Sequence, residues 1–353
     1  ASEIRHELEL EGTIFQTSID SEVFVNLIAR SRQERVEDKV IESLKKIKGA
    51  YCLTIMTENK LIGARDPQGF RPLCLGKTEE GSWVLSSESC GLDVVGAEFV
   101  RDILPGEMVV IDDQGVQSYP FATEEKKAAC IFEYIYFARP DSIMNGQDIY
   151  QARLNMGRKL WEECRFDGDV VMSVPDSGNV AALGYAAASG IPFVEGLLKN
   201  KYMGRTFIKP DQKQRDLAVR MKLNAVPEVV AGKRIVLIDD SIVRGTTSGI
   251  IVRMLKEAGA KEVYMCVSSP AIEFPCHYGI DTSVRKELIA ATHTVEQIRE
   301  YIHADKLHYL SRAGLCRAIG NIEEKDLCFA CFNGDYAVQV PEDTEDGGKY
   351  VLE

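Results

Sequence analysis

Between Arg234 and Ser248 the chain reads Arg-Ile-Val-Leu-Ile-Asp-Asp-Ser-Ile-Val-Arg-Gly-Thr-Thr-Ser, and this run restricts the possible fold more than any other. Arg234 to Ile238 predict a short buried strand, and Asp239 and Asp240 stand where it ends. Ser241 and a loop of glycine and hydroxyl residues, Arg244 to Ser248, follow. An amphipathic helix is expected to start near Gly249. Strand, loop and helix in this order aim backbone N–H groups and the positive end of a helix at one anion. Gly245 permits close backbone approach, and Thr246, Thr247 and Ser248 add hydroxyl donors. The paired acids repel a phosphate but suit sugar hydroxyls or a bound Mg²⁺. One site is therefore expected to take a ribose, a phosphate and a divalent cation together.

A second acid pair acts as a control. Val109-Val-Ile-Asp-Asp-Gln-Gly115 also ends an apolar strand in two acids, but Gln-Gly and then Val-Gln-Ser-Tyr come next. That pattern predicts a hairpin turn with no hydroxyl loop and no following helix. The sequel to the acids, not the acids themselves, makes the first run distinctive.

Alternation of apolar strands and helices extends around that run. Val170 to Val174 predict a strand, Val180 to Ser189 a helix, Gly249 to Ala258 a helix and Val263 to Ser268 a strand. Such alternation implies a parallel α/β sheet with its ligand at the carboxyl ends of the strands. Val174-Pro-Asp-Ser-Gly178 is a second strand-end loop in the same sheet. The first 122 residues differ in style. They are β-rich, with helical spacing over 21–31 and 37–48, a hairpin over 51–56 and 61–64, and strands over 83–87 and 107–111. A charged linker, Phe121 to Lys127, separates the two styles, and 353 residues favour two domains over one.

A hydrophobic content of 45% and a charged content of 27% fit a soluble globular protein. No apolar run approaches the roughly 20 residues that span a bilayer. The opening Ala1-Ser-Glu-Ile-Arg-His-Glu lacks signal-peptide character. A cytoplasmic protein without a membrane partner is expected. The net charge of −12 argues against nucleic-acid binding. The exception is local: Lys199 to Lys222 hold eight Lys or Arg against two Asp, which suits a small polyanionic substrate. Within it, Tyr202, Gly204, Arg205 and Thr206 are expected to form a flap over that substrate. Ten cysteines are many for a reducing compartment, so metal or redox use is expected of some. Cys328-Phe-Ala-Cys331 alone fits zinc, redox or iron–sulfur chemistry and lacks two ligands of a closed metal site.

The run from Arg234 to Ser248 resembles the signature of the type I phosphoribosyltransferases, which bind 5-phosphoribosyl 1-pyrophosphate (PRPP). With Lys199-Asn-x-Tyr-x-Gly-Arg-Thr-Phe-Ile208 and Glu133-Tyr-Ile-Tyr-Phe-Ala-Arg-Pro-Asp-Ser142 the resemblance narrows to the glutamine phosphoribosylpyrophosphate amidotransferases, and it covers essentially the whole chain. It implies a partial α+β glutaminase domain of the N-terminal-nucleophile type over 1–122, a phosphoribosyltransferase domain over 123–320 and a tail over 321–353. It implies formation of 5-phosphoribosylamine from PRPP and glutamine or ammonia, the opening step of purine synthesis. PRPP would lie on Asp239, Asp240, Ser241, Arg244, Gly245, Thr246, Thr247 and Ser248. Mg²⁺ would lie near Ser177, Asp239 and Asp240, and Lys199, Tyr202 and Arg205 would act from the flap. Phe15-Gln-Thr-Ser-Ile-Asp20 matches a stretch whose Asp contacts glutamine, whereas Arg65 to Leu73 is read as structural. The family's four cluster cysteines match Cys130, Cys276, Cys328 and Cys331, which implies a structural [4Fe–4S] centre. The other six cysteines are read as small buried apolar residues, and His277 as packing. Homo-oligomers, dimeric or tetrameric, with purine nucleotides as feedback inhibitors are also implied.

The departure lies at the beginning. The family's glutaminase nucleophile is an N-terminal Cys with its own α-amine as base, and residue 1 here is Ala. The family's Asn-Gly oxyanion segment is also missing. A chain shortened at its N-terminus is expected, unable to hydrolyse glutamine but able to use ammonia. Two other readings fit parts of the sequence: a transferase that joins a base to PRPP, and a PRPP-sensing regulator. The first would lack the glutaminase-like half and the cluster cysteines. The second would carry a nucleic-acid-binding module, which this acidic chain does not show.

Overall fold

A computed structural model describes residues 2–122, 126–200, 202, 221–280, 282, 284–320 and 322–340. The chain forms two compact units, Ala1–Ala129 and Cys130–Glu353. The division lies beyond the expected 122/123 boundary because the backbone remains tied to the first unit: the Ala128 N–H donates to Gln68 O at 2.8 Å. Residues of the expected tail, among them the strand Leu327–Cys328 and the helical turn Ala330–Asn333, belong to the second unit. Among the described residues no helix is long and apolar enough to cross a membrane.

In the first unit two antiparallel sheets and a helical layer stack. Cys52–Met56, Leu61–Arg65, Glu107–Asp112 and Gly115–Pro120 form one sheet in that order. In the other, Cys74–Thr78 lies between Trp83–Ser86 and Ala97–Asp102. The Glu107–Asp112 strand shows why its sequence lacks polar alternation. Met108 and Val110 pack with Phe24, Val40 and Leu44 of the helices Asp20–Arg30 and Val36–Leu44, while Val109 packs with Leu73, Leu75 and Ile103. Both faces of this strand are buried, so successive residues are apolar. The control acid pair is indeed a hairpin: Asp112 faces Gly115 across a two-residue turn, and Asp112 Oδ1 accepts from the Gln114 N–H at 2.9 Å.

The second unit centres on a parallel sheet ordered Val170–Ser173, Arg234–Asp239, Glu262–Val267, Lys306–Tyr309. One face buries Ile235, Leu237, Val263 and Met265 against Ile251, Val252 and Leu255 of the helix Thr246–Glu257. Alternate residues Val236, Ile238 and Cys266, fully buried, point the other way. The helices Ile149–Cys164 and Asn179–Ser189 pack very closely together. A Cβ on Gly157 would lie 1.8 Å from Ala181 O, and one on Gly184 would lie 1.9 Å from Leu154 O. Only glycine lets two backbones meet at that separation. The helix after the acid pair begins at Thr246, not near Gly249. Gly245, with φ 74°, takes the left-handed conformation before the first turn, so the helix takes in the hydroxyl residues expected in the loop.

Candidate active site

Asp239 ends the second strand of the parallel sheet, and Asp240 is the first residue beyond it. Only 7% of each is exposed. The Asp240 N–H donates to Asp239 Oδ1 at 2.9 Å, and the Ser268 N–H donates to Asp239 O at 2.9 Å. Burial, and then the neighbouring Asp240 charge, hold the Asp239 carboxyl well above the usual carboxylate range. Burial also raises Asp240, while Ser241, Ser177 and the charge of Arg153 pull it back. Two buried acids that resist ionisation side by side form a hard-oxygen donor set that a divalent cation would relieve. The residues present therefore fit Mg²⁺.

Three further segments carry the other predicted site residues. The first is the helix start at Thr246, where no side chain caps the N-terminus. The first-turn N–H groups have no intrahelical partner, and Thr246, Thr247 and Ser248 place three hydroxyls in that turn, the donor set an anion takes. Ser248 is buried and Thr247 exposed. Arg244 is held beside this turn by an ion pair with Glu287. The second segment is Val174–Gly178. Its Val174 N–H donates to Ile238 O at 2.8 Å, and a Cβ on Gly178 would meet that same oxygen at 2.5 Å. The Ser177 hydroxyl hydrogen-bonds with Asp240, so the two strand-end loops are joined.

Lys199 closes the third segment. It ends the strand Leu197–Lys199, pairs with Asp176 and lies opposite Leu223 of the strand Leu223–Ala225. The Asn200 N–H donates to Lys222 O at 2.7 Å, so the two ends of the segment predicted as a flap are adjacent. Tyr202 is 98% exposed, with its N–H on Asn200 Oδ1 at 3.0 Å. Arg205, and most of the basic stretch with it, lies outside the described residues.

One charged residue at this site was not picked out from the sequence. Arg153 is 3% exposed on an otherwise apolar helix face with Ile149, Ala152, Met156 and Leu160. Its guanidinium donates to Tyr134 O at 2.9 Å and Ala138 O at 2.7 Å, with a longer contact to Glu133 O at 3.4 Å. It thereby fixes the π-helical turn Glu133–Phe137 while its charge acts on Asp240. A lone arginine at a core-facing helical position was the available signal.

The four predicted cluster cysteines come from distant parts of the second unit. Cys130 and Cys328 end short strands that pair with each other, Cys331 lies in the turn Ala330–Asn333, and Cys276 follows Pro275. Among the described residues no three His, Cys, Asp or Glu side chains stand together at metal-binding spacing. The four sulfurs nevertheless share one neighbourhood. Burial raises the Cys331 thiol well above its ordinary range, and Cys130, Cys328 and Cys276 raise it further. The Tyr278 N–H donates to Cys276 Sγ at 3.3 Å, and Cys331 O accepts from the Glu273 and Phe274 N–H groups at 3.0 and 3.1 Å. Four soft thiols are the donor type an iron–sulfur group takes, and the Tyr278 N–H is a backbone donor aimed at one of these sulfurs. His277 packs edge-on against Tyr336, with ring centroids 5.0 Å apart. Of the six other cysteines, Cys74, Cys90 and Cys266 are buried, but Cys52, Cys164 and Cys316 are only partly so, which corrects the uniform apolar reading.

Asp20 belongs to the first unit, where it opens the helix Asp20–Arg30 and is exposed. The preceding turn is shaped by Glu22, which accepts from the N–H groups of Gln16 at 2.7 Å and Thr17 at 2.8 Å. Arg65 is buried and binds three carbonyls, Arg71 O at 2.7 Å and Ile103 O and Gly69 O at 2.9 Å, a structural task.

Residues 1–93 match the family described as a glutamine amidotransferase domain. The amidophosphoribosyltransferase of Bacillus subtilis (strain 168) is 50% identical over 347 residues, 98% of this chain and 73% of that protein. That of Archaeoglobus fulgidus is 49% identical over 345 residues, 96% of this chain and 75% of the relative. A solved structure of the B. subtilis glutamine PRPP amidotransferase complexed with ADP and GMP superposes with a TM-score of 0.91 at 50% identity. It covers 97% of this chain and 76% of its own. A structure described as the allosteric regulatory enzyme of purine biosynthesis gives the same score and identity, over 98% and 74%.

Proposed function

This chain belongs to the amidophosphoribosyltransferases, the enzymes of purine biosynthesis, and from that premise we propose how its residues divide the work on PRPP. The observation that carries the reading is the Ser177–Asp240 contact, which joins the Val174–Gly178 loop to the acid pair. The 5′-phosphate would take the uncapped helix start at Thr246–Ser248. The ribose hydroxyls would take Asp239 and Asp240, and the pyrophosphate the 174–178 loop. Mg²⁺ held by Ser177, Asp239 and Asp240 would neutralise charge on the departing pyrophosphate.

Ammonia is small and offers few binding handles, so rate must come from orientation and exclusion of water. Lys199, Tyr202 and Arg205 are the proposed closing group. Lys199 would exchange its Asp176 partner for the pyrophosphate, and Arg153 would keep Asp240 ionised. No side chain is assigned as general base, since ammonia attacks as the free base. Asp20 is the proposed glutamine contact. Cys130, Cys276, Cys328 and Cys331 would hold a [4Fe–4S] group as a structural tie between the Cys130 strand, the segment after Ser268 and residues 327–333, since phosphoribosyl transfer moves no electron. Purine nucleotides are the proposed inhibitors, because the B. subtilis relative was solved with ADP and GMP. A homo-oligomer and a cytoplasmic setting complete the reading.

The test is pyrophosphate release from PRPP by anaerobically purified protein, with Mg²⁺ and ammonium. Asp240→Asn is expected to lower kcat/KM by about 10²–10³-fold, the scale of losing one preorganised charge contact. A variant within about threefold of the parent, well below that scale, would remove Asp240 from the site.

A further inference from the structure

The sulfurs of Cys164 and Cys266 lie 3.7 Å apart in the second unit, although 102 residues separate them in sequence. Cys164 ends the helix Ile149–Cys164 and is partly exposed, whereas Cys266 is fully buried in the strand Glu262–Val267. Neither is among the four proposed cluster cysteines or the proposed PRPP residues. The surroundings treat the two sulfurs differently. Cys164 Sγ also meets the Tyr185 hydroxyl at 3.7 Å, and that hydroxyl is anchored at Phe166, accepting from its N–H at 3.1 Å and donating to its carbonyl at 3.2 Å. Next to Cys164, Glu163 binds His308 Nε2 at 3.2 Å and the Ser311 hydroxyl at 2.6 Å, fixing the end of the helix.

We propose that Cys164 and Cys266 form a dithiol site that a hydroperoxide converts to an intramolecular disulfide. The order of steps follows from access: the partly exposed sulfur reacts first and the buried one resolves it. The Cys164 thiolate attacks one oxygen of hydrogen peroxide, the O–O bond breaks, and the departing hydroxide becomes water. Cys164 is then a sulfenic acid. The Cys266 sulfur attacks the Cys164 sulfur, the S–O bond breaks, and the second hydroxide leaves as water with the Cys266 proton. Two thiols lose two electrons and two protons, and the peroxide becomes two waters. The sulfurs must close from 3.7 Å to about 2 Å, a movement that side-chain rotation and a small shift of the helix end supply.

Electrostatics supports the same order. Cys266 hydrogen-bonds to Cys164 and, with the Phe166 N–H and Tyr185 behind it, holds the Cys164 thiol below its ordinary range, while burial raises Cys266. The product would fasten the helix that carries Arg153 to the strand that leads to Ser268, whose N–H holds Asp239.

The experiment is a hydrogen peroxide titration of the reduced full chain, quenched with N-ethylmaleimide and mapped by peptide mass spectrometry. The expected result is a 164–266 cross-linked peptide pair two hydrogens lighter than the reduced pair. It should dominate at the lowest oxidant doses and be lost on dithiothreitol treatment. In Cys266→Ser, Cys164 should instead be trapped by dimedone as the sulfenic acid. Peptide mapping separates both products from oxidation at Cys130, Cys276, Cys328 and Cys331. If both Cys164 and Cys266 remain alkylatable at doses that oxidise Cys52 or Cys316, or if Cys164 advances to sulfinic acid in the parent chain without the cross-link, the proposal is wrong. The parent-chain result decides this even if the variant does not fold.

Discussion

Arg153→Met separates two tasks that the structure assigns to one buried guanidinium. The side chain makes two short hydrogen bonds, to Tyr134 O at 2.9 Å and Ala138 O at 2.7 Å. A charged donor contributes about 1.5–3 kcal/mol per bond, so the pair is worth about 3–6 kcal/mol, and the 3.4 Å contact to Glu133 O is counted as nothing. A methionine fills the same space and recovers about 1–2 kcal/mol of apolar burial. The net loss expected is about 1–5 kcal/mol, centred near 3, read as an earlier guanidinium unfolding midpoint at unchanged slope.

The second task is electrostatic. Burial holds the Asp240 carboxyl above its ordinary range, and Arg153 pulls it down. Without that cation the carboxyl rises further. Because the ionised form is the one proposed to hold the sugar and the metal, the acid limb of the ammonia-dependent rate should move to higher pH. Arg153→Lys keeps the charge but loses the planar fork, so it should lose stability while leaving the acid limb near its original position. Unfolding curves and pH–rate profiles of the three proteins decide the matter. An Arg153→Met protein within about 1 kcal/mol of the parent, with an unmoved acid limb, refutes both halves of the argument.

Two other outcomes follow from the geometry. Gly157→Ala should destabilise the second unit by at least about 3 kcal/mol, because the added Cβ lands 1.8 Å from Ala181 O and two helix backbones must part. Thermal unfolding of the variant beside Ala152→Gly, a change that adds no atom, checks this. Asp66 gives a pH signature in the first unit: burial pushes its carboxyl up to about 6, against the opposing Phe70 N–H and Arg65 charge. The folded chain then holds this proton at pH values where an unfolded one, with a pKa of about 3.9, has released it. Stability from this group is full below about pH 4 and is lost as pH rises through about 6, amounting to about 3 kcal/mol. Urea unfolding between those limits should show that decline, and Asp66→Asn should flatten it.

The strand that ends in the acid pair was legible because its signals are local. Arg234–Asp239, its two acids and the Gly-Thr-Thr-Ser start of a helix occupy consecutive positions, and strand termination and helix capping act over a few residues. The same rule separated this run from the Asp112–Asp113 hairpin, where a two-residue turn follows instead. The helix starts three residues before its expected position, since hydroxyl residues serve a loop or a first helical turn equally well. The left-handed Gly245 decided for the turn.

The role of Arg153 is not legible in the sequence for a related reason. Its helix gives no sign of which turn faces the acid pair, and only the packing of Gly157 on Ala181 and Gly184 on Leu154 sets that face. The cysteines divide along the same line. Their number and the Cys328–Cys331 spacing are in the sequence, but spacing left the other partners open. They were named by resemblance, and the burial of Cys331 beside Cys130, Cys276 and Cys328 is a tertiary fact.

By itself, then, the sequence determined the elements whose causes lie within one turn or one strand: the alternation of strand and helix, the hairpin, and the acid-and-hydroxyl run that wants a sugar phosphate. The tertiary structure alone decided which side chains from distant segments meet. Ser177 reaches Asp240 because two parallel strands end at the same level, in the register that sets Ser173 beside Ile238. Cys164 meets Cys266 because a helix end crosses the sheet face to which Cys266 points. Period and capping fix the direction of a side chain within its own element. Register, crossover and close helix packing fix what that direction meets.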